Sequence, residues 1–172
     1  MALEPSLIPL GGLWYRHVRG GGDALGLAPG DAHGRWQRAR VVGALYLADS
    51  PDTAWGEFYR GLAEHGIPPG LRMPRDLWCY RADFTEVADL TERDTLTALG
   101  LPAAVPDSTQ WPVFQAVGER LARAGAQAVL YQSAARPAHR CLCVFAAALD
   151  RLTPLGHEHV DALPAPPRGM RT

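Results

Sequence analysis

Four polar residues stand at the ends or edges of apolar runs, where the fold fixes a side chain and still leaves it within reach of a ligand: Arg16, Tyr46, Glu57 and Ser133. Arg16 follows Trp14-Tyr15 in a strand-like segment. A guanidinium stays charged at any ordinary pH, so inside an aromatic segment it needs an anion. A phosphate serves, an internal carboxylate serves equally, and an outward-facing strand position removes the need. Tyr46 reads either as a core residue with its hydroxyl at the rim or as part of a site. Glu57 reads either as a solvated helix residue or as a working carboxylate. Ser133 has no Gly-x-Ser-x-Gly elbow around it, so it is not read as a nucleophile.

The elements that must position these groups follow from local signals. Leu13 to Val18 has strand composition, and Gly20 to Gly34 carries six glycines and a proline, a loop long enough to cover a site. Gly43 to Ala48 is a second strand. Ser50, Pro51 and Asp52 then start a helix that Gly66 stops. Trp55, Phe58, Tyr59 and Leu62 recur on its core face, while Glu57 shares the other face with the small residues Ala54 and Gly61. Leu77 to Phe84 alternates as a strand, and helices are expected over Thr91 to Leu99 and Gln110 to Ala124, the latter packing through Val113, Val117, Leu121 and Ala124. Gln127 to Gln132 leads into Ser133, and Cys141 to Leu149 reads as a buried strand. The order gives a single mixed α+β domain over residues 1–150, with a loosely held Pro-rich tail over 151–172.

Composition narrows the chemistry. The 172 residues carry a formal charge of −1, unlike a nucleic-acid or anionic-membrane binder. All 17 basic residues are Arg; with no Lys, Schiff-base and phosphate-loop ammonium chemistry are excluded. The longest apolar runs are too short to span a bilayer, and the first fifteen residues lack a basic signal front, so a cytoplasmic location is expected. Cys79, Cys141 and Cys143 read as reduced and buried. Cys141-x-Cys143 and His157-x-His159 look superficially zinc-like, but their spacing fits no known finger, and no metal is expected. The Gly20-Gly21-Gly22 stretch lacks a phosphate-loop order and reads as flexible covering.

Tyr15-Arg16, Gly34-Arg35-Trp36, Ala44-Leu45-Tyr46-Leu47-Ala48, Ala54-Trp55-Gly56-Glu57 and Tyr131-Gln132-Ser133, in this order, resemble the RES-domain family. The likeness runs from about Leu13 to Leu149; Gln37 stands where the family usually has an asparagine. The resemblance implies an ADP-ribosyltransferase-like fold and an NAD-consuming toxin of a toxin–antitoxin pair, breaking the nicotinamide–ribose bond with water or phosphate as acceptor. Arg16, Tyr46, Glu57 and Ser133 would be its catalytic set, and Arg16, Arg35, Trp36 and Tyr46 would bind NAD: the arginines on the pyrophosphate, the aromatics on nicotinamide or ribose, Ser133 on a ribose or carboxamide group. A protein mono-ADP-ribosyltransferase is the near alternative, and an inert binding module that keeps the fold is the distant one. The implied partner is an antitoxin with a helix-turn-helix region. A homodimer through aromatics such as Trp78 or Trp111 is a further expectation.

Overall fold

A computed structural model describes residues 5–27, 32–102 and 105–171. Part of the glycine-rich loop, 28–31, and residues 1–4 lie outside these. Six strands form one sheet: β1 (Leu7–Arg19), β2 (Ala44–Ala48), β3 (Arg75–Asp89), β4 (Ala128–Gln132), β5 (Arg140–Phe145) and β6 (Leu152–Val160). Their order is β1-β2-β5-β4-β3-β6, and β1 also pairs with β3, so the first five strands close on themselves. All pairings are antiparallel except β3 with β4.

Alternation along the strands divides the core into two layers. Leu45, Leu47, Leu130, Leu142 and Val144 join Trp14, Tyr80 and Phe84 in one. Cys141, Cys143, Val129 and Tyr131 point the other way, into a layer completed by Trp36 and by Phe114, Val117 and Leu121 of helix α3 (Trp111–Arg123). Val113, expected in that stripe, is 46% exposed; Phe114 takes its place.

Helix α1 (Pro51–Glu64) forms as its signals dictate. Ser50 accepts from the Thr53 N–H, Pro51 occupies the first turn, and Gly66 adopts the positive φ that ends the helix. The short helix α2 (Arg93–Ala98) starts later than Thr91, because Asp89 captures both the N–H and the hydroxyl of Thr91. The chain after Arg151 is not loosely held at first: Leu152–Val160 pairs along the edge of β3, where Pro154 is tolerated because an edge strand needs no donor on its outer side. Cys141 to Leu149 is strand only to Phe145, followed by a 3-10 helix over Ala146–Arg151. Cys141 and Cys143 are buried, but Cys79 is only half-buried. None of the described helices is long and apolar enough to cross a membrane.

Candidate active site

A cleft of about 430 Å³ opens where β1, β2, α1 and the segment after residue 32 meet, and Arg16, Arg35, Tyr46 and Glu57 all border it. Adjacent strands supply its floor. Tyr46 of β2 stands opposite Cys143 of β5, and Cys141 stands between Ala48 and Tyr131, so these side chains emerge on one face. Helix α1 crosses that face and lowers Glu57 onto it. Gly56 allows the close approach: a Cβ there would meet the Ala135 Cβ at 3.3 Å.

The Glu57 carboxylate rests in a cradle formed by the turn after β4. Its Oε1 accepts from the Ser133 hydroxyl at 2.5 Å and from the Ala135 N–H at 3.1 Å, with the Cys141 thiol at 3.8 Å. Ser133 is fully buried, and its Oγ accepts from the Arg136 N–H at 2.9 Å. Its one hydrogen is directed at Glu57, where the expectation was a bond to a ribose or carboxamide group. Among the described residues Oε2 has no hydrogen-bond partner, which leaves it available to a ligand. Burial, with Glu57 beside it, pushes the Cys141 thiol well above its usual range, so it remains a neutral donor.

Tyr46 is locked from two sides. Its phenol oxygen accepts from the Trp36 N–H at 3.1 Å, and Gly34 lies so close that any Cβ at that position would overlap the phenol. Burial and Cys143 raise its pKa well above the ordinary value, so the hydroxyl keeps its proton. Trp36 itself corrects an expectation. Its indole is fully buried against Phe114 and Tyr131 and does not border the cleft, so it is no wall for a ligand. Its place is taken by Arg35, whose guanidinium carbon lies 4.8–5.3 Å from the Tyr131, Phe114 and Trp36 rings.

Among the described residues Arg16 has no carboxylate within ion-pair distance. Alternation along β1 sends its side chain to the face opposite Tyr15 and His17, where Nη1 and Nη2 donate to the carbonyls of Ala24 and Gly26 at 3.2 and 3.0 Å. The Tyr80 hydroxyl donates to the same Ala24 oxygen, so this part of the glycine-rich loop is anchored rather than free covering. At least two of its five N–H groups are thus engaged with neutral acceptors.

Among the cleft residues that the sequence did not single out are His17 and Arg75. His17 stacks on Trp55 at 4.7 Å, donates from Nε2 to the Ala54 carbonyl at 2.9 Å, and accepts at Nδ1 from Arg75 at 3.4 Å. Burial first, then Arg75, lowers its pKa to about 4, which fixes it as a neutral imidazole. The signal in sequence was its spacing from Tyr15, two residues along one strand face. Arg75 also donates to the His17 carbonyl and lies over the Phe58 ring. Burial lowers the pKa values of Arg16, Arg35 and Arg75, and Arg16 lowers that of Arg75 further by repulsion. Among the described residues four arginines, Arg16, Arg35, Arg60 and Arg75, and two glutamates, Glu57 and Glu64, border the cleft, with Arg60 paired to Glu64 at 2.8 Å. Such a site gains most from an anionic ligand.

No group of three or more His, Cys, Asp or Glu among the described residues is arranged to hold a metal ion. His157 and His159 instead contact Asp76, far from Cys141 and Cys143 in the sheet order. Trp78, which packs on His157, and Trp111, part of the cleft wall, are both half-buried.

The sequence model of the RES domain matches residues 13–164, and the chain belongs to the RES-domain family. It is 30% identical over 141 residues to the Mycobacterium tuberculosis (strain ATCC 25618 / H37Rv) protein named "Probable NAD(+) phosphorylase Rv3189", covering 81% of this chain and 65% of that protein's length. The chain therefore spans just under two thirds of that relative. Its fold is similar to that in the crystal structure of the M. tuberculosis MbcT-MbcA toxin-antitoxin complex, with a TM-score of 0.75, 22% identity, and coverage of 90% of this chain and 87% of that one.

Proposed function

We propose that this chain is an enzyme that destroys NAD by breaking the nicotinamide–ribose bond, with phosphate or water as acceptor, and that it is the toxin of a toxin–antitoxin pair. The observation that carries this reading is the carboxylate of Glu57, held on one oxygen by Ser133 and Ala135 at the floor of an arginine-lined cleft. The likeness to a named NAD(+) phosphorylase and to a toxin fold supports it. So does the set Arg16, Glu57 and Ser133, as does Tyr46.

In this reaction the C1′–N bond breaks, its electron pair goes to the nicotinamide ring nitrogen, and positive charge develops on the ribose. Glu57 stabilises that charge through Oε2, because Oε1 is already saturated by the turn after β4. The acceptor oxygen then bonds to C1′, and when the acceptor is water its proton passes to Oε2. Arg35 and Arg75 grip the pyrophosphate, and Arg16 contributes its remaining N–H groups while it holds the loop; an anion between Arg16 and Arg75 relieves the repulsion noted above. Tyr46 offers its ring to the nicotinamide. Trp36 acts behind this wall, by presenting Arg35 and holding the Tyr46 oxygen.

On this reading the chain is an ADP-ribosyltransferase-like domain, acting in the cytoplasm and silenced by an antitoxin that carries a helix-turn-helix region. Incubation with NAD, with and without phosphate, followed by chromatography, tests the chemistry. ADP-ribose 1″-phosphate as the phosphate-dependent product marks a phosphorylase and free ADP-ribose a hydrolase. Label retained on protein identifies a mono-ADP-ribosyltransferase instead. NAD binding with no turnover would reduce the chain to an inert module.

A further inference from the structure

The segment that presents Arg35 contains a polar group the chemistry above does not use. Gln37 borders the cleft, is only 5% exposed, and sits at the base of a tight turn closed by reciprocal bonds between the Gly34 and Gln37 backbones. Its Nε2 faces the Ala32 carbonyl at 3.4 Å, whereas its Oε1 is buried without a partner. Exchanging the two amide atoms would set oxygen against oxygen at Ala32, so the acceptor is the atom left over. Among the described residues that border the cleft it is the one buried oxygen without a hydrogen bond. A buried amide oxygen without a donor is costly, because it has given up its hydrogen bonds to water and gained none in return. An orphan of this kind in a ligand cleft indicates a ligand N–H or O–H.

The surroundings select among donors. Gly34, bridged to Gln37, lies directly against the Tyr46 phenol, and Trp36 between them donates to that phenol oxygen. Gln37 is therefore fixed to the hydroxyl end of Tyr46. A flat ring lying on Tyr46 presents the substituent at its rim toward this turn. For nicotinamide that substituent is a carboxamide, whose NH₂ is a donor without charge, matched to an uncharged acceptor. We propose that Gln37 is the specificity residue of the site, its Oε1 accepting from the carboxamide N–H of nicotinamide. The proposal rests on the NAD-cleaving reading above and adds to it the element that recognises the leaving base.

The test compares NAD with its 3-acetylpyridine analogue, where a methyl group replaces the NH₂, and with its hypoxanthine analogue, which lacks the adenine amine. A site built around a hydrogen-bonding group rejects a substrate lacking that group far more strongly than one differing by a methyl. In the wild-type protein nicotinamide should compete with NAD at least tenfold better than 3-acetylpyridine. In Gln37→Met, which keeps the length and removes the acceptor, the kcat/KM ratio of NAD to the acetylpyridine analogue should fall about tenfold, with the ratio to the hypoxanthine analogue unchanged. An unchanged acetylpyridine ratio, or a shift confined to the hypoxanthine ratio, overturns the proposal. If Gln37→Met does not fold, the wild-type competition decides alone: equal inhibition by the two pyridines overturns it. Failure of the wild-type protein to release any nicotinamide is a different result and removes the underlying reading.

Discussion

The single hydroxyl hydrogen of Ser133 is committed to Oε1 of Glu57 at 2.5 Å, in a pocket with no exposure to solvent. The two oxygens of the carboxylate therefore differ: Oε1 is held by the protein, and on the reading proposed above Oε2 is the one left for substrate. The expectations below follow from that division.

Ser133→Ala removes a hydrogen bond to a charged group, a loss of about 1.5–3 kcal/mol. If the loss falls on the transition state, kcat drops roughly 10- to 100-fold. KM for NAD should stay within about threefold, since the Ser133 hydroxyl is spent on Glu57. Steady-state kinetics separate the two, and a rise in KM with unchanged kcat would instead put the hydroxyl on substrate.

Gly56→Ala should impair activity more than stability. The added methyl meets Ala135 and Arg136 at 3.3 Å and pushes α1 away from the turn that holds Glu57. We expect a fall of at least tenfold in kcat, with a loss of about 1–2 kcal/mol in unfolding free energy by urea titration. Wild-type kcat in this variant would mean the close approach is incidental.

Arg16→Ala should weaken both NAD binding and turnover, since it removes a cleft cation and frees the Ala24 and Gly26 carbonyls it holds. Arg35→Lys should not restore function to that site, because an ammonium cannot stack on three aromatic rings or grip two phosphate oxygens in a plane. Calorimetric NAD binding should show at least a tenfold loss for each.

His17 gives the fold an acid limb. Its folded pKa of about 4 lies below the ordinary histidine value near 6.5, so between these pH values the unfolded chain binds more protons. Stability from this group is fully present above about pH 6.5 and is lost as pH falls toward 4, by on the order of 3 kcal/mol. Urea unfolding across that window should show the decline, and His17→Gln should flatten it. His159 acts with the opposite sign: its bond to Asp76 raises its pKa, so its contribution is present at low pH and lost as pH rises.

The legible parts were those written in short stretches of chain. Ser50, Pro51, Asp52 and Gly66 specify α1 locally, and helical spacing alone separates Glu57 from the core face of Trp55 and Tyr59. The buried strands Ala44–Ala48 and Ala128–Gln132 carry their own composition. What stayed hidden depends on partners distant in sequence. Trp36 has the composition of a ligand wall, and only its packing with Phe114 of α3 and Tyr131 of β4 makes it core. Arg75 enters the site because β1 and β3 pair along their whole lengths, a register no local pattern announces. β6 was masked by Pro154 and by Gly156, whose positive φ accompanies a register shift against β3.

Nicotinamide release from NAD by wild-type protein and Glu57→Gln, measured alongside NAD affinity for both, bears most directly on the placement of charge in the cleft. Wild-type protein should release nicotinamide, and the Glu57→Gln variant should lose at least about a hundredfold in kcat while binding NAD within tenfold of wild type. Equal turnover by the two proteins would contradict the role given to the Glu57 carboxylate, and no release by either would contradict the NAD-cleaving function.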